Sequence, residues 1–178
     1  YDPSFEKENC GFGLIAQMDD QPSHWLVETA IQSLSRMTHR GGVAADCCTG
    51  DGCGLLLKKP DAFFQSEARD QGFTLNTLYA VGMVFLNKQT DKRSAGISAI
   101  ESALVGKGLT VAGWRKVPVN STCLGAQAAG MEPDIEQVFV NAPEGMSEAD
   151  FNRALFVARR TAEMAVEAND EDFYIASM

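Results

Sequence analysis

Cys10 stands directly before Gly11-Phe12-Gly13-Leu14-Ile15-Ala16, a thiol at the head of a glycine-spaced, β-prone apolar run. The two glycines leave the backbone beside the sulfur bare enough for a substrate to approach. Leu14, Ile15 and Ala16 read as a strand heading into a core, a rigid mount for a nucleophile. Taken alone the pattern is weak, because an unpaired cysteine near a strand is ordinarily a small buried hydrophobe. A cut between Asn9 and Cys10 would change its chemistry. The cysteine would then carry a free α-amine, whose unperturbed pKa of ~7.7 to 8.0 leaves a neutral fraction able to take the thiol proton. Nucleophile and base would share one residue.

Three other arrangements compete. Cys47, Cys48 and Cys53, with Cys10, Cys123, His24 or His39, are the material for a metal site. Adjacent cysteines rarely share one tetrahedral ion and there is no C-x-x-C pair, so no metal is expected. Thr49-Gly50-Asp51-Gly52-Cys53-Gly54 has the glycines of a phosphate cradle but no P-loop lysine, and Asp51 would repel an anion. A dyad of Cys10 with His24 or His39 is chemically open, since a neighbouring base can generate thiolate. His24 falls in a first helical turn, which suits a surface role.

The elements that must position these groups follow from periodicity and punctuation. Residues 1–9 are charged and without period, and read as an arm or leader. Residues 11–18 and 53–58 are expected as buried strands, and the glycine-rich Gly41–Gly54 stretch between them as loop. Ser23 is a candidate N-cap for a helix whose apolar face is Leu26, Ala30, Leu34 and Met37, stopped by Gly41-Gly42. Pro60 suits the start of a helix to about Asp70. Residues 78–86 are apolar on both faces, hence a central strand, and 91–106 form a helix with Ile97, Ile100 and Leu104 inward. Further strands are expected at 109–117, 135–140 and from 173. Ser147 and Asp150 resemble a capping box opening a helix to about Ala168, with Phe151, Leu155, Ala158, Ala162 and Ala165 on one face. Phe156 and Val157 widen that apolar area beyond what one side needs. With the abrupt end after Ile175, this leads to an expectation of uncovered apolar surface, a bare strand edge and self-association.

The chain has 178 residues, is 45% hydrophobic and carries a net charge of -9. That is material for one core, and the charge speaks against a nucleic-acid surface. No apolar run reaches the ~20 residues of a membrane span. Five irregularly spaced cysteines fit a reducing compartment, so a cytoplasmic location is expected. The fold class expected is α+β with antiparallel sheet layers.

The residues also carry a resemblance. Cys10-Gly11-Phe12-Gly13-Leu14-Ile15-Ala16 resembles the mature start of the class II, N-terminal nucleophile glutamine amidotransferases, and Met37-Thr38-His39-Arg40-Gly41-Gly42 resembles the His-Arg-Gly element of that superfamily. Within it, Ala45-Asp46 with Thr49-Gly50-Asp51-Gly52-Cys53-Gly54-Leu55-Leu56 is similar to glutamate synthase large subunits. So are Tyr1-Asp2, Tyr79-Ala80-Val81-Gly82-Met83 and Val138-Phe139-Val140-Asn141-Ala142-Pro143.

The resemblance implies an αββα sandwich of antiparallel sheets, only partly covered by this chain. Residues 1–9 would be a propeptide and 10–178 the N-terminal part of the glutaminase domain. It implies that Cys10 attacks the amide of glutamine, that Arg40 and Gly41 support the site, and that the released ammonia aminates 2-oxoglutarate elsewhere. FMN, an iron-sulfur cluster, the remainder of the large subunit and an NADPH-oxidising small subunit are implied for the full enzyme, none of them held by this segment. The arginine for the glutamine carboxylate and the Asn-Gly oxyanion pair of the family are expected beyond Met178, so the isolated chain is expected to be inactive. The alternatives are a catalytically silent binding fragment or another class II amidotransferase.

Overall fold

The computed structural model describes residues 11–37 and 41–178. Cys10, Arg40, His39 and the expected leader lie outside the described residues. The chain divides into two compact units, one drawn from the chain up to Pro60 with Thr122–Gly130, the other from Asp61–Ser121 with Met131–Met178.

The second unit holds the sheet. Its strands are β1 (Tyr79–Leu86), β2 (Thr110–Lys116), β3 (Asp134–Asn141) and β4 (Tyr174–Ser177), and its helices include α2 (Asp61–Asp70), α3 (Thr90–Val105) and α5 (Glu148–Val166). All strand pairings are antiparallel, in the order β2-β3-β1-β4. The fold is thus α+β with an antiparallel sheet. β1 lies between β3 and β4, as its two apolar faces require.

On one face Val84, Leu86, Val138 and Val140 pack against Ile100, Ala103 and Leu104 of α3 and Phe151, Leu155, Ala158 and Ala162 of α5. The buried stripe of α5 ends on Val166, and Ala165 is exposed. The helical period from Ala158 through Ala162 carries the stripe to position 166, four residues on, rather than to 165. On the other face Tyr79 and Phe139 meet Ala68 and Leu75, with Phe64 and Phe73 against them. The Phe139 ring lies 5.7 Å edge-on from Phe64 and 5.0 Å from Phe73. The register of β2 shifts between Val111 and Gly113, where the Phe73 ring takes the place of any side chain.

Helix starts follow the sequence. Ser147 Oγ accepts from Asp150 N at 3.1 Å, the forward half of the expected box at α5, and donates to Asp150 Oδ2 at 2.7 Å. Asn141, buried at the end of β3, staples the segment that leads into β1: its Nδ2 donates to Thr74 O and its Oδ1 accepts from Asn76 N, each at 2.9 Å. Phe156 and Met164 on the outer side of α5 are exposed, and β4 is an edge strand whose Ile175 is itself fully buried.

In the first unit, α1 (His24–Arg36) is capped by Ser23, whose Oγ accepts from Leu26 N at 3.3 Å. Leu26, Ala30, Leu34 and Met37 are half-buried, along the expected face. The buried strands expected at 11–18 and 53–58 do not form. Both runs are irregular and joined to no ladder among the described residues, and Phe12, Leu14 and Leu56 are exposed. Apolar alternation gives a segment the capacity for a strand, but a ladder needs a partner brought from elsewhere in the chain. Here the one cross-strand bridge among the described residues outside the sheet joins Val43 to Gly50.

Candidate functional site

The loop from Gly41 to Gly54 is tied rather than loose. Around the Val43–Gly50 bridge, Ala44 N donates to Thr49 O at 2.8 Å and Cys47 N to Ala44 O at 2.9 Å. The turn needs Cys47 at φ 59°, the left-handed region that side chains seldom occupy. One step outward, Gly42 and Asp51 bond twice: Gly42 N donates to Asp51 Oδ2 at 2.6 Å, and Asp51 N to Gly42 O at 3.3 Å.

Asp46 sits inside this turn as a pure acceptor. Its Oδ1 accepts from Thr49 N at 2.7 Å and Cys48 N at 3.1 Å, and its Oδ2 from Thr49 Oγ1 at 2.6 Å and Gln127 N at 3.3 Å. Thr49 Oγ1 in turn accepts from Ala128 N at 3.3 Å. Gln127 and Ala128 lie in the first turn of the short helix α4 (Ala126–Gly130), whose early amides lack helical partners, and the loop supplies them. The Thr49 hydroxyl, then the Thr49 and Cys48 amides, hold the Asp46 carboxyl well below the usual carboxylate range; desolvation opposes them, and the Gln127 amide adds the smallest lowering. The backbone passes very close at Gly125. A Cβ there would stand 2.3 Å from Thr49 Oγ1, 2.5 Å from Thr49 N and 2.7 Å from Asp46 Oδ2.

Of the residues singled out in the sequence, the structure describes Gly41, exposed at the head of this loop; Cys10 and Arg40 lie outside the described residues. The phosphate-cradle reading of 49–54 fails on geometry, because the Asp51 carboxylate bonds the Gly42 amide and places negative charge in the loop. His24 is on the surface, with Nδ1 3.5 Å from Glu28 Oε1. Cys47, Cys48 and Cys53 are exposed free thiols. Among the described residues no three His, Cys, Asp or Glu side chains converge to hold a metal. No described helix is long and apolar enough to cross a membrane.

Asp46, Thr49 and Gly125 were not identifiable as a unit in the sequence. The Asp-x-x-Thr spacing hints at a side chain turning back on its own backbone, but the partners at 127 and 128 lie 81 and 79 residues away.

The chain belongs to the class II glutamine amidotransferases, whose family model matches residues 10–178. Among characterised proteins it is similar to the glutamate synthase [NADPH] large chain of Bacillus subtilis, 37% identical over 100% of this chain and 12% of that protein. It is similar also to the ferredoxin-dependent glutamate synthase 2 of Synechocystis, 38% identical over 97% of this chain and 11% of that one. The glutamate synthase [NADH] of Schizosaccharomyces pombe is 36% identical over 100% of this chain and 9% of its own length. The chain thus spans about a tenth of the length of these relatives.

Proposed function

We propose that this chain is the nucleophile-bearing part of a glutaminase serving a glutamate synthase. The observation that carries the reading is that the family match begins at residue 10, the position of Cys10. The relatives' names carry three different electron donors, yet all resemble this segment equally well. That suits amide chemistry common to all of them and separate from electron delivery.

Once residues 1–9 are removed, the neutral α-amine of Cys10 takes the thiol proton and the thiolate attacks the side-chain carbonyl carbon of glutamine. The tetrahedral intermediate collapses by breaking the C–N bond. The proton held on the amine goes to the leaving nitrogen, so ammonia departs and a γ-glutamyl thioester remains. Water, deprotonated by the same amine, attacks the thioester to give glutamate and regenerate the thiol. Arg40, next to Gly41 in the sequence, supports the site by organising the loop beside the nucleophile, while the arginine for the substrate carboxylate comes from the longer protein.

In the longer protein the ammonia aminates 2-oxoglutarate with reduction, chemistry for which FMN and an iron-sulfur cluster are the fitting groups, with an NADPH-oxidising small subunit as one source of electrons. The chain acts in the cytoplasm, and its exposed Phe156 and Met164 face the rest of the large subunit or a second copy.

Ammonia release from glutamine by four proteins tests the reading: the 178-residue chain and the full-length protein, each with and without residues 1–9. Turnover is expected only from the processed full-length form, and Cys10→Ala abolishes it. Turnover by the unprocessed full-length form would refute the amine as base. Turnover by the processed short chain would show that the rest of the site lies within 178 residues.

A further inference from the structure

We propose that Asp46 is a positioning residue of the glutamine site, acting through the loop that begins at Gly41. The proposal rests on the glutaminase reading and adds a residue to it. Nothing about Asp46 suggests contact with substrate, since its carboxylate oxygens already take four donors. Its effect is on backbone. One oxygen closes the turn by holding the Cys48 and Thr49 amides. The other reaches out of the loop to Gln127 N. Thr49 is the shared member: its hydroxyl bonds Asp46 and Ala128, while its carbonyl accepts from Ala44 N on the opposite arm. Fixing Thr49 therefore fixes the pairing of Val43 with Gly50 and of Gly42 with Asp51. Gly42 is the next residue but one after Arg40, so this pairing fixes the backbone two positions beyond Arg40 in the sequence.

Ionic form and atom type both matter. An asparagine carries one oxygen and one NH2 group. Whichever way round it sits, either the two loop amides or the Gln127 amide and Thr49 hydroxyl lose their acceptor. Gly125→Ala attacks the same clasp from outside, because its Cβ would lie within 2.7 Å of Asp46 Oδ2 and closer still to Thr49.

The test uses the processed full-length protein for kinetics and the 178-residue chain for loop order. In Asp46→Asn and Thr49→Val, KM for glutamine is expected to rise ~10-fold while kcat changes less than ~3-fold. Alkylation of Cys47 and Cys48 by iodoacetamide is expected to speed up in both. Thr49→Ser, which keeps the hydroxyl, is expected to recover most of what Thr49→Val loses. Should Asp46→Asn fail to fold, the milder Thr49 pair carries the same comparison. Faster alkylation with unchanged KM would overturn the proposal and leave the glutaminase reading intact. Unchanged alkylation would overturn it too, by denying that the clasp orders the loop. No glutamine turnover by the wild-type processed protein would remove the reading itself, and the proposal with it.

Discussion

Arg115 is the clearest place to test how the sheet holds α2. It extends from β2 with only 12% of its side chain exposed. Its Nε donates to Glu67 Oε2 on α2, its Nη1 donates to Gln137 Oε1 at 2.9 Å, and its guanidinium lies 5.6 Å over the Phe63 ring. Replacing it with methionine keeps the stem's packing and removes all three polar contacts. Breaking a buried ion pair by removing one partner costs about 3–5 kcal/mol. Glu67 retains 24% exposure, so water reaches the orphaned carboxylate and the lower end applies. Loss of the bond to buried Gln137 adds about 1 kcal/mol, giving a total near 4 kcal/mol. For a chain of this size that lowers Tm by roughly 10 °C. Urea unfolding of Arg115→Met, Glu67→Leu and the double variant measures it. The double variant is expected to be more stable than Arg115→Met alone, because no carboxylate is then stranded. A single-variant loss below about 1 kcal/mol, or costs that simply add, would refute the reasoning.

Other outcomes follow from the same geometry. Phe139→Ala, emptying a fully buried site between Phe64 and Phe73, is expected to cost about 3–5 kcal/mol in urea unfolding, and Phe139→Leu clearly less. Ser147→Ala removes the α5 cap and is expected to cost about 1 kcal/mol, with Ser147→Asp recovering most of it. The depressed pKa of Asp46 means that its stabilisation is fully present above the unfolded aspartate value of about 3.9 and is lost only as pH falls through the lower folded value. The Gln127 amide resonance is therefore expected to titrate below the unfolded aspartate value of about 3.9, and a midpoint at or above about 3.9 would contradict the hydrogen-bonding pattern.

Local signals carried much of the fold. Ser23 and Ser147 cap the helices they precede in the sequence; the stripe from Phe151 to Ala162 is buried as its spacing requires, and that from Leu26 to Met37 is half-buried. The apolar run at Tyr79–Leu86 is the inner strand that its two-sided character demands. What the sequence left illegible is pairing. Nothing in Thr110–Lys116 says that it neighbours β3 rather than β1, and nothing in 11–18 or 53–58 says that their apolar residues find no ladder. Asp46 illustrates the same limit at the site. Its turn-forming chemistry is local, whereas its reach to Gln127 depends on a chain reversal encoded far away and on Gly125 leaving room. Gly113 is the counterpart in the sheet: an unremarkable strand glycine until Phe73 is seen in the space its side chain would need.

The most direct test of the central claim is to mix processed full-length protein with glutamine, quench in acid within one turnover and map the acyl adduct by mass. The γ-glutamyl group is expected on Cys10 alone, absent from Cys10→Ala and from protein still carrying residues 1–9. An adduct on Cys47, Cys48, Cys53 or Cys123, or glutamine turnover by Cys10→Ala, would contradict it.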